Sequence, residues 1–370
     1  MIVNRERLER CLNILMTVVG NKVMPISDFL KFEIDTESGK LYISATNFLA
    51  FMIIEVGDVE EYDNVESTFL IHAKKLFGLV SQSTTDVVEF KQKKNDNLSM
   101  SVISNGKYVF RLRNDVENFP VVDFEYDHIA EYSLGEILMN WSGGSLAVSK
   151  DVTQVAVQSV FFDGNWVSTD FTRLSMVQDE KVEGGESLLI PTIFGNILKQ
   201  LEGMNIIFGK SKDGKNAIVR DDSLGLFASV RLIDNEFINY HNFLNKVQPF
   251  FSLGVNLNSL TRVLNRLYIF CDSVYKILQV KVDFTGSDPI LTFQIQHDDS
   301  GEEQVFVMDH LFNIRPDKKV FEFSFDIEKF LQGVEHLSSD DELCAINFTS
   351  NGIFYLKEDN FSYYLQRMDY

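Results

Sequence analysis

The chain has 370 residues, 45% hydrophobic and 24% charged, with a net charge of −20. That length and apolar content suit two or three packed domains. Six prolines and no low-complexity tract argue against a long linker or disordered tail, and the −20 argues against a conventional basic DNA binder. Along the chain, a first amphipathic helix is predicted over 5–19, with Leu8, Leu12, Leu15 and Val19 in one stripe and arginines beside it. Short alternating strands follow at 41–48 and 69–71, then a helix over 72–83, then strands at 87–90, 98–102 and 108–112. Further helices are predicted over 134–150, 191–202, 256–270 and 326–338, separated by strand runs. Asn105-Gly106, Asp213-Gly214 and Asn351-Gly352 sit between strand runs as tight hairpin turns require.

One pattern recurs. Leu41-Tyr42-Ile43-Ser44-Ala45-Thr46-Asn47-Phe48 is matched 123 positions later by Asn165-Trp166-Val167-Ser168-Thr169-Asp170-Phe171. Each copy is a strand ending in a small-Thr-Asn/Asp turn, followed by a second strand and an apolar-led helix. Arg113-Asn114-Asp115 with Phe119 similarly recurs as Leu232-Ile233-Asp234 with Phe237. A period near one third of the chain is too long for a solenoid, which repeats every 20–50 residues or so. It fits three serial copies of a domain, an α+β plan with two helices and about eight strands each. The boundaries fall near 125 and 248, giving segments 1–125, 126–248 and 249–370.

Charge is unevenly placed. The six predicted helices carry ten basic and seven acidic residues, a net +3 against −23 for everything else. Mildly basic helices in an acidic body suit a surface tuned to a polyanion. Helices also attract Lys and Arg for their own reasons, and the sixth helix is acidic, so both readings stand.

Other chemistries leave weaker traces. Cys11, Cys271 and Cys344 are odd in number and far apart, which argues against a disulfide framework or zinc cluster and fits a reducing, cytoplasmic compartment. No secretory signal or membrane span is expected, because no apolar run follows Arg5-Glu6-Arg7 or approaches bilayer length. Gly209-Lys210-Ser211-Lys212-Asp213-Gly214-Lys215-Asn216 nearly spells a phosphate-binding loop. Asn216 replaces its magnesium-binding hydroxyl, and a strand follows instead of a helix, so a hairpin is expected. The six histidines lack metal-type spacing, and no nucleophile elbow occurs. No catalytic residue, metal or cofactor is assigned. An enzyme whose site is assembled from distant residues remains an alternative.

With these residues in view, the chain resembles the bacterial sliding clamp, the beta subunit of DNA polymerase III. The resemblance runs the full length. It rests on Ala45-Thr46-Asn47, on Ser168-Thr169-Asp170-Phe171-Thr172-Arg173-Leu174 where the family usually reads Ala-Thr-Asp-Gly-His-Arg-Leu, and on the helix starts at His72 and Pro191. Phe119-Pro120 and the terminal Tyr363-Tyr364-Leu365-Gln366-Arg367-Met368 also fit. It implies the DNA clamp fold, with two helices packed on antiparallel sheets in each domain, and a head-to-tail homodimeric ring around double-stranded DNA, read without sequence preference. The implied partners are the DNA polymerase III alpha subunit, the clamp loader and other proteins carrying a clamp-binding motif.

The resemblance also assigns residues. Arg7, Arg10, Lys22, Lys74, Lys150, Lys199, Arg262 and Arg266 would line the bore. A peptide groove would use Val157, Thr169, Arg173, Leu174, Ile238 and Phe243 of the second domain, with Tyr275, Gly352, Phe354, Leu365, Gln366 and Met368 of the third. The dimer contact would set Phe110 and Leu112 against Ile269 and Phe270, with Lys75 and Lys107 facing Asp298, Asp299, Glu302 and Glu303. Phe171 and Thr172 depart from the family's Gly-His, Lys329 stands where tyrosine is common, and Arg367 replaces a proline. The alternative to a working clamp is an acidic clamp-fold scaffold or DNA mimic.

Overall fold

The structure is a computed structural model that describes every residue except 21–23, 63–64, 94–96, 103–105, 113–115, 183–186, 273, 287, 297–298, 313–318, 338–342 and 369–370. The first third of the chain runs β1 (Ile2–Asn4), α1 (Arg5–Leu15), β2 (Phe29–Asp35), β3 (Lys40–Thr46), β4 (Ala50–Asp58), β5 (Thr68–His72), α2 (Ala73–Val80), β6 (Val87–Lys93), β7 (Asn97–Val102) and β8 (Gly106–Arg111). The second repeats that order: β9 (Tyr126–Tyr132), α3 (Leu134–Gly144), β10 (Ser159–Phe162), β11 (Asn165–Thr169), β12 (Arg173–Gln178), β13 (Leu188–Pro191), α4 (Ile193–Leu198), β14 (Ile206–Ser211), β15 (Asn216–Asp221) and β16 (Leu226–Arg231). After a short α5 (Tyr240–Leu244) it recurs once more as β17 (Phe251–Asn256), α6 (Leu257–Tyr268), β18 (Ile277–Asp283), β19 (Ile290–Gln296), β20 (Ser300–Phe312), β21 (Val320–Asp326), α7 (Ile327–Glu335), β22 (Leu343–Phe348), β23 (Phe354–Glu358) and β24 (Phe361–Leu365). The fold is α+β, with three similar domains in tandem, and every printed strand pairing is antiparallel.

Local chemistry explains many of the elements. Asn4, Asn256 and Asp326 each cap a helix, their side-chain oxygens accepting the amides of Arg7, Ser259 and Lys329 at 2.8–3.1 Å. The predicted stripes are buried: Leu8, Leu12 and Leu15 on α1, and Leu260, Val263, Leu264 and Leu267 on α6. Gly214, at φ +74°, turns β14 into β15, so the phosphate-loop lookalike is a hairpin. Asn351-Gly352 likewise separates β22 from β23, while Asn105 lies outside the described residues.

The helices are shorter than predicted. α3 stops at Gly144, not at 150, and there the backbone lies so close to Trp166 that a Cβ on Gly144 would collide with that side chain. Lys150 therefore lies beyond the helix. α4 ends at Leu198, which leaves Lys199 as its cap and Glu202 past it. α1 tightens into a single 3-10 turn over Met16–Val18.

The chain divides into two compact units. One comprises residues 1–139 and 190–233, the other 140–189 and 234–370. The first unit holds a four-stranded sheet, β1-β6-β7-β8, and an eight-stranded one, β5-β2-β3-β4-β16-β15-β14-β9. The second holds a twelve-stranded sheet, β13-β10-β11-β12-β24-β23-β22-β17-β20-β19-β18-β21. The middle third contributes strands to both units. In each unit the fourth strand of one copy pairs with the last strand of the next: β4 with β16, and β12 with β24.

Candidate functional site

The recurring Thr-Asn/Asp turn is built the same way in both units. Thr46 Oγ1 donates to the carbonyl of Ala50 at 2.9 Å and accepts the Phe48 amide at 3.0 Å. Thr169 Oγ1 donates to Arg173 at 2.7 Å and accepts the Phe171 amide at 3.0 Å. Asn47 Oδ1 takes the amides of Leu49 and Ala50, as Asp170 Oδ1 takes those of Thr172 and Arg173. The central Phe48 and Phe171 adopt left-handed backbones at φ +69° and +68°. Such a conformation costs a non-glycine residue on the order of 1–2 kcal/mol. Phe171→Gly is expected to leave stability unchanged or to raise it by up to about 1 kcal/mol, strain relief being offset by the larger entropy of glycine in the unfolded chain. Thermal unfolding checks this.

In the second unit this turn anchors a charge network. Asp170 Oδ2 lies 3.1 Å from Arg173 Nε and 3.0 Å from Lys329 Nζ. Lys329 Nζ also donates to Thr172 Oγ1 at 2.6 Å. The Lys329 carbonyl accepts the Tyr363 hydroxyl at 2.8 Å. Arg173 reaches Gln332, and its side chain is only 9% exposed. Burial works to raise the Asp170 pKa, but hydrogen bonds from Thr172 and Lys329 and the two cations outweigh it and leave the pKa lowered. Thr172 and Lys329, two of the departures from the clamp pattern, thus bond to each other.

The network and its surroundings revise the groove drawn from sequence. Arg173 is occupied within the chain, so it is not a free orienting group. Val157, Thr169, Leu174, Phe354 and Leu365 are all buried. Phe354 stacks on Phe330 at 4.0 Å between ring centroids. Leu174 joins Val167, Tyr240, Tyr355 and Tyr364 in one cluster, with Phe243 packed against it. Ile238, Tyr275 and Phe243 are half-buried, and Gln366 and Met368 are exposed. Gly352 is covered by Arg367, whose side chain would meet a Cβ there at 2.5 Å. The tail is tied down by Gln366 N–H to the Thr172 carbonyl and Met368 N–H to the Ser324 carbonyl, at 2.8 and 2.7 Å. Phe171, one of the departures from the clamp pattern, is an accessible apolar residue here, 52% exposed.

The basic residues divide into two kinds. Arg7, Lys74, Lys75, Lys150, Lys199 and Arg262 are exposed. Arg10 is also exposed but ion-paired with Glu202, and Arg266 with Glu303. Glu303 therefore already has a partner in its own chain and is not simply a rim charge awaiting Lys75. Lys22, Asp298 and the Lys107 side chain lie outside the described residues.

Besides β1, β5, β9, β13 and β21, which end their sheets, two strand edges are open among the described residues. β8 pairs only with β7, and Ser300–Phe306 of β20 pairs only with β19, among the described residues. Beside the β20 edge Ile269 is 78% and Phe270 42% exposed. On the other edge the expectation fails in part: Phe110 and Leu112 are each 7% exposed because they pack into their own unit. Strand alternation turns Val109 outward, where it is 58% exposed. Phe306 and Met308, at 79% and 58%, also face solvent and were missed from sequence. Alternation with buried Val305 and Val307 is the signal that marks them.

No protein-family model and no curated protein matches the chain. Solved structures do. A DNA polymerase sliding clamp from Bacillus subtilis aligns with a TM-score of 0.86 at 11% identity, covering 100% of this chain and 98% of that one. The chain has the sliding-clamp fold. The DNA polymerase III subunit beta from Pseudomonas aeruginosa gives 0.85 at 14%, covering 100% of both chains. The corresponding Borrelia burgdorferi subunit gives 0.83 at 17%, covering 100% and 98%. The departures from the clamp pattern therefore sit inside an intact clamp fold. Among the described residues no helix is long and apolar enough to cross a membrane, and no cluster of three or more His, Cys, Asp or Glu side chains is placed to hold a metal.

Proposed function

We propose that the chain is a sliding clamp, a non-catalytic processivity factor that encircles duplex DNA as a head-to-tail homodimer and tethers a replicative polymerase. Its domains are taken as 1–125, 126–248 and 249–370. The observation that carries this is the pair of open edges. Within the chain, each copy's fourth strand seeks the last strand of the next copy. The two that lack this pairing within the chain are the fourth strand of the last copy, β20, open along Ser300–Phe306, and the last strand of the first copy, β8. A second chain arranged head to tail supplies both missing pairings, each heterologous junction setting β8 of one chain against β20 of the other, and two such junctions close the ring.

The exposed helix cations suit loose retention. Firm phosphate contacts add affinity and salt dependence, and would slow sliding. The polymerase alpha subunit, the clamp loader and other motif-bearing proteins are the proposed partners, and tethering raises their effective concentration at the primer end. Bond-making belongs to those partners, in the cytoplasm.

The test is loading onto nicked circular DNA by a bacterial clamp loader with ATP. The wild type should stay on circles and run off linear DNA. Neutralising Lys74, Lys150, Lys199 and Arg262 to Ala together should shorten retention several-fold at moderate salt. Unchanged retention removes these residues from the lining. The Arg10–Glu202 and Arg266–Glu303 pairs, which mask two cations, favour a second reading, a clamp-fold scaffold with no DNA duty. A protein that dimerises yet never loads would select it.

A further inference from the structure

The first unit contains the counterpart of the docking region, and there it is open. The repeat relates the two sites residue by residue. Ala50 pairs with Val230 as Arg173 pairs with Leu365, and Phe51 with Ser229 as Leu174 with Tyr364. The Arg231 amide donates to the Leu49 carbonyl at 2.8 Å, just as the Gln366 amide donates to Thr172 at 2.8 Å. The side chains differ. Where the second unit has Arg173 and Tyr364, the first has Ala50 and Ser229, and these smaller residues leave a cavity of about 360 Å³. That volume falls in the range of ligand pockets, roughly 300–1,000 Å³.

The lining combines apolar walls with two carboxylates, Asp123 and Asp213, and two cations, Lys212 and Arg231. Leu49 is 55% and Val121 89% exposed, with Phe51 behind them. Other charges in the lining are already engaged. Asp213 accepts the Ser211 hydroxyl and the Lys215 amide, Asp123 accepts the Glu125 amide, and Lys212 is paired with Asp127. The guanidinium of Arg231 is exposed and has no ion pair among the described residues, in a chain of net charge −20.

We propose that this cavity is a second peptide-docking site, taking a short linear segment with two adjacent apolar anchors followed by a carboxylate. The anchors enter between Leu49, Phe51 and Val121, and the carboxylate meets Arg231. The proposal rests on the clamp reading for its biological sense but is tested separately.

The probe is the fluorescein-labelled peptide acetyl-Ser-Ala-Leu-Phe-Asp-Glu-amide, titrated against the full chain by anisotropy. Arg231→Glu and, separately, Val121→Asp should each weaken binding at least tenfold, while Met204→Asp, exposed and outside the lining, leaves it unchanged. All three positions are exposed, and circular dichroism confirms that the variants fold. A lysine-substituted probe, with both acids replaced, should lose affinity for the wild type. No binding by the acidic probe, or binding indifferent to Arg231→Glu and Val121→Asp, overturns the second site. The docking role of the second unit is read in parallel with a consensus clamp-binding peptide and Phe171→Asp, so either site can fail without the other.

Discussion

Ile269→Ala combined with Phe270→Ala is expected to convert the proposed dimer to monomers and to abolish retention on circular DNA. Both side chains project beside the open β20 edge, where Ile269 is 78% exposed. Phe270 packs over Gly301, the ring 3.2 Å from where a Cβ would stand, so it presents the apolar surface of that edge. Fully burying such a side chain contributes roughly 1.5–3 kcal/mol, and Phe270 is already half-covered. About 2 kcal/mol per junction is a fair expectation, doubled because a head-to-tail dimer has two junctions. A loss of about 4 kcal/mol raises the dimer Kd about a thousandfold. Sedimentation across a concentration series reads this directly. An intact dimer with unchanged Kd would move the contact elsewhere on β20, to Phe306 and Met308. Because topology, not grip, holds a clamp on DNA, monomers should show no retention even with every basic residue intact.

Asp221→Ala is expected to destabilise the first unit by roughly 3–5 kcal/mol, the range for breaking a buried hydrogen-bond network. Asp221 is completely buried at the end of β15. Its carboxylate accepts the amides of Glu202, Gly203, Ser223 and Leu224 at 2.8–3.3 Å and the Ser223 hydroxyl at 2.6 Å. Gly203 is needed because any Cβ there would strike the carboxylate. Alanine would leave these donors unmatched, the Gly203 and Leu224 amides among them in buried positions. Burial works to raise the Asp221 pKa, but the Ser223 hydroxyl and the backbone amides outweigh it and lower it. A depressed carboxyl pKa contributes stability that is present above the unfolded value, near 4, and is lost as pH falls through the folded value. The gap between wild type and Asp221→Asn should therefore persist at pH 7 and narrow in acid. Denaturant unfolding at both pH values measures it.

Elsewhere, what was legible in the sequence followed the range of the interactions. The Thr46 and Thr169 turns announce themselves because their hydrogen bonds span two to four residues, so the chemistry that makes them is contiguous. The Asp213-Gly214 hairpin was readable for the same reason, and it overruled a near-match to a phosphate loop. The Phe119 and Phe237 correspondence also holds in packing, since Phe119 clusters with Phe51 while Phe237 packs on the cluster of Leu174. Most of the residues assigned to the groove are buried or half-buried, which the sequence did not signal. Thr172 is 157 positions from Lys329 and Arg173 is 159 from Gln332, with which they bond. No pattern in either segment signals that pairing.

By itself the sequence determined the threefold repeat, the α+β plan and the surplus of cations on the helices, since periodicity, turn chemistry and charge are properties of neighbouring residues. Tertiary structure alone decided that the middle copy divides its strands between two units, that α3 halts where Gly144 meets Trp166, and that β8 and β20 remain open at their edges. It also decided that small Ala50 and Ser229 leave a cavity where Arg173 and Tyr364 fill the matching space. Each of these depends on surfaces brought together from distant parts of the chain, and hydrophobic burial and strand pairing select such contacts only once the whole chain has folded.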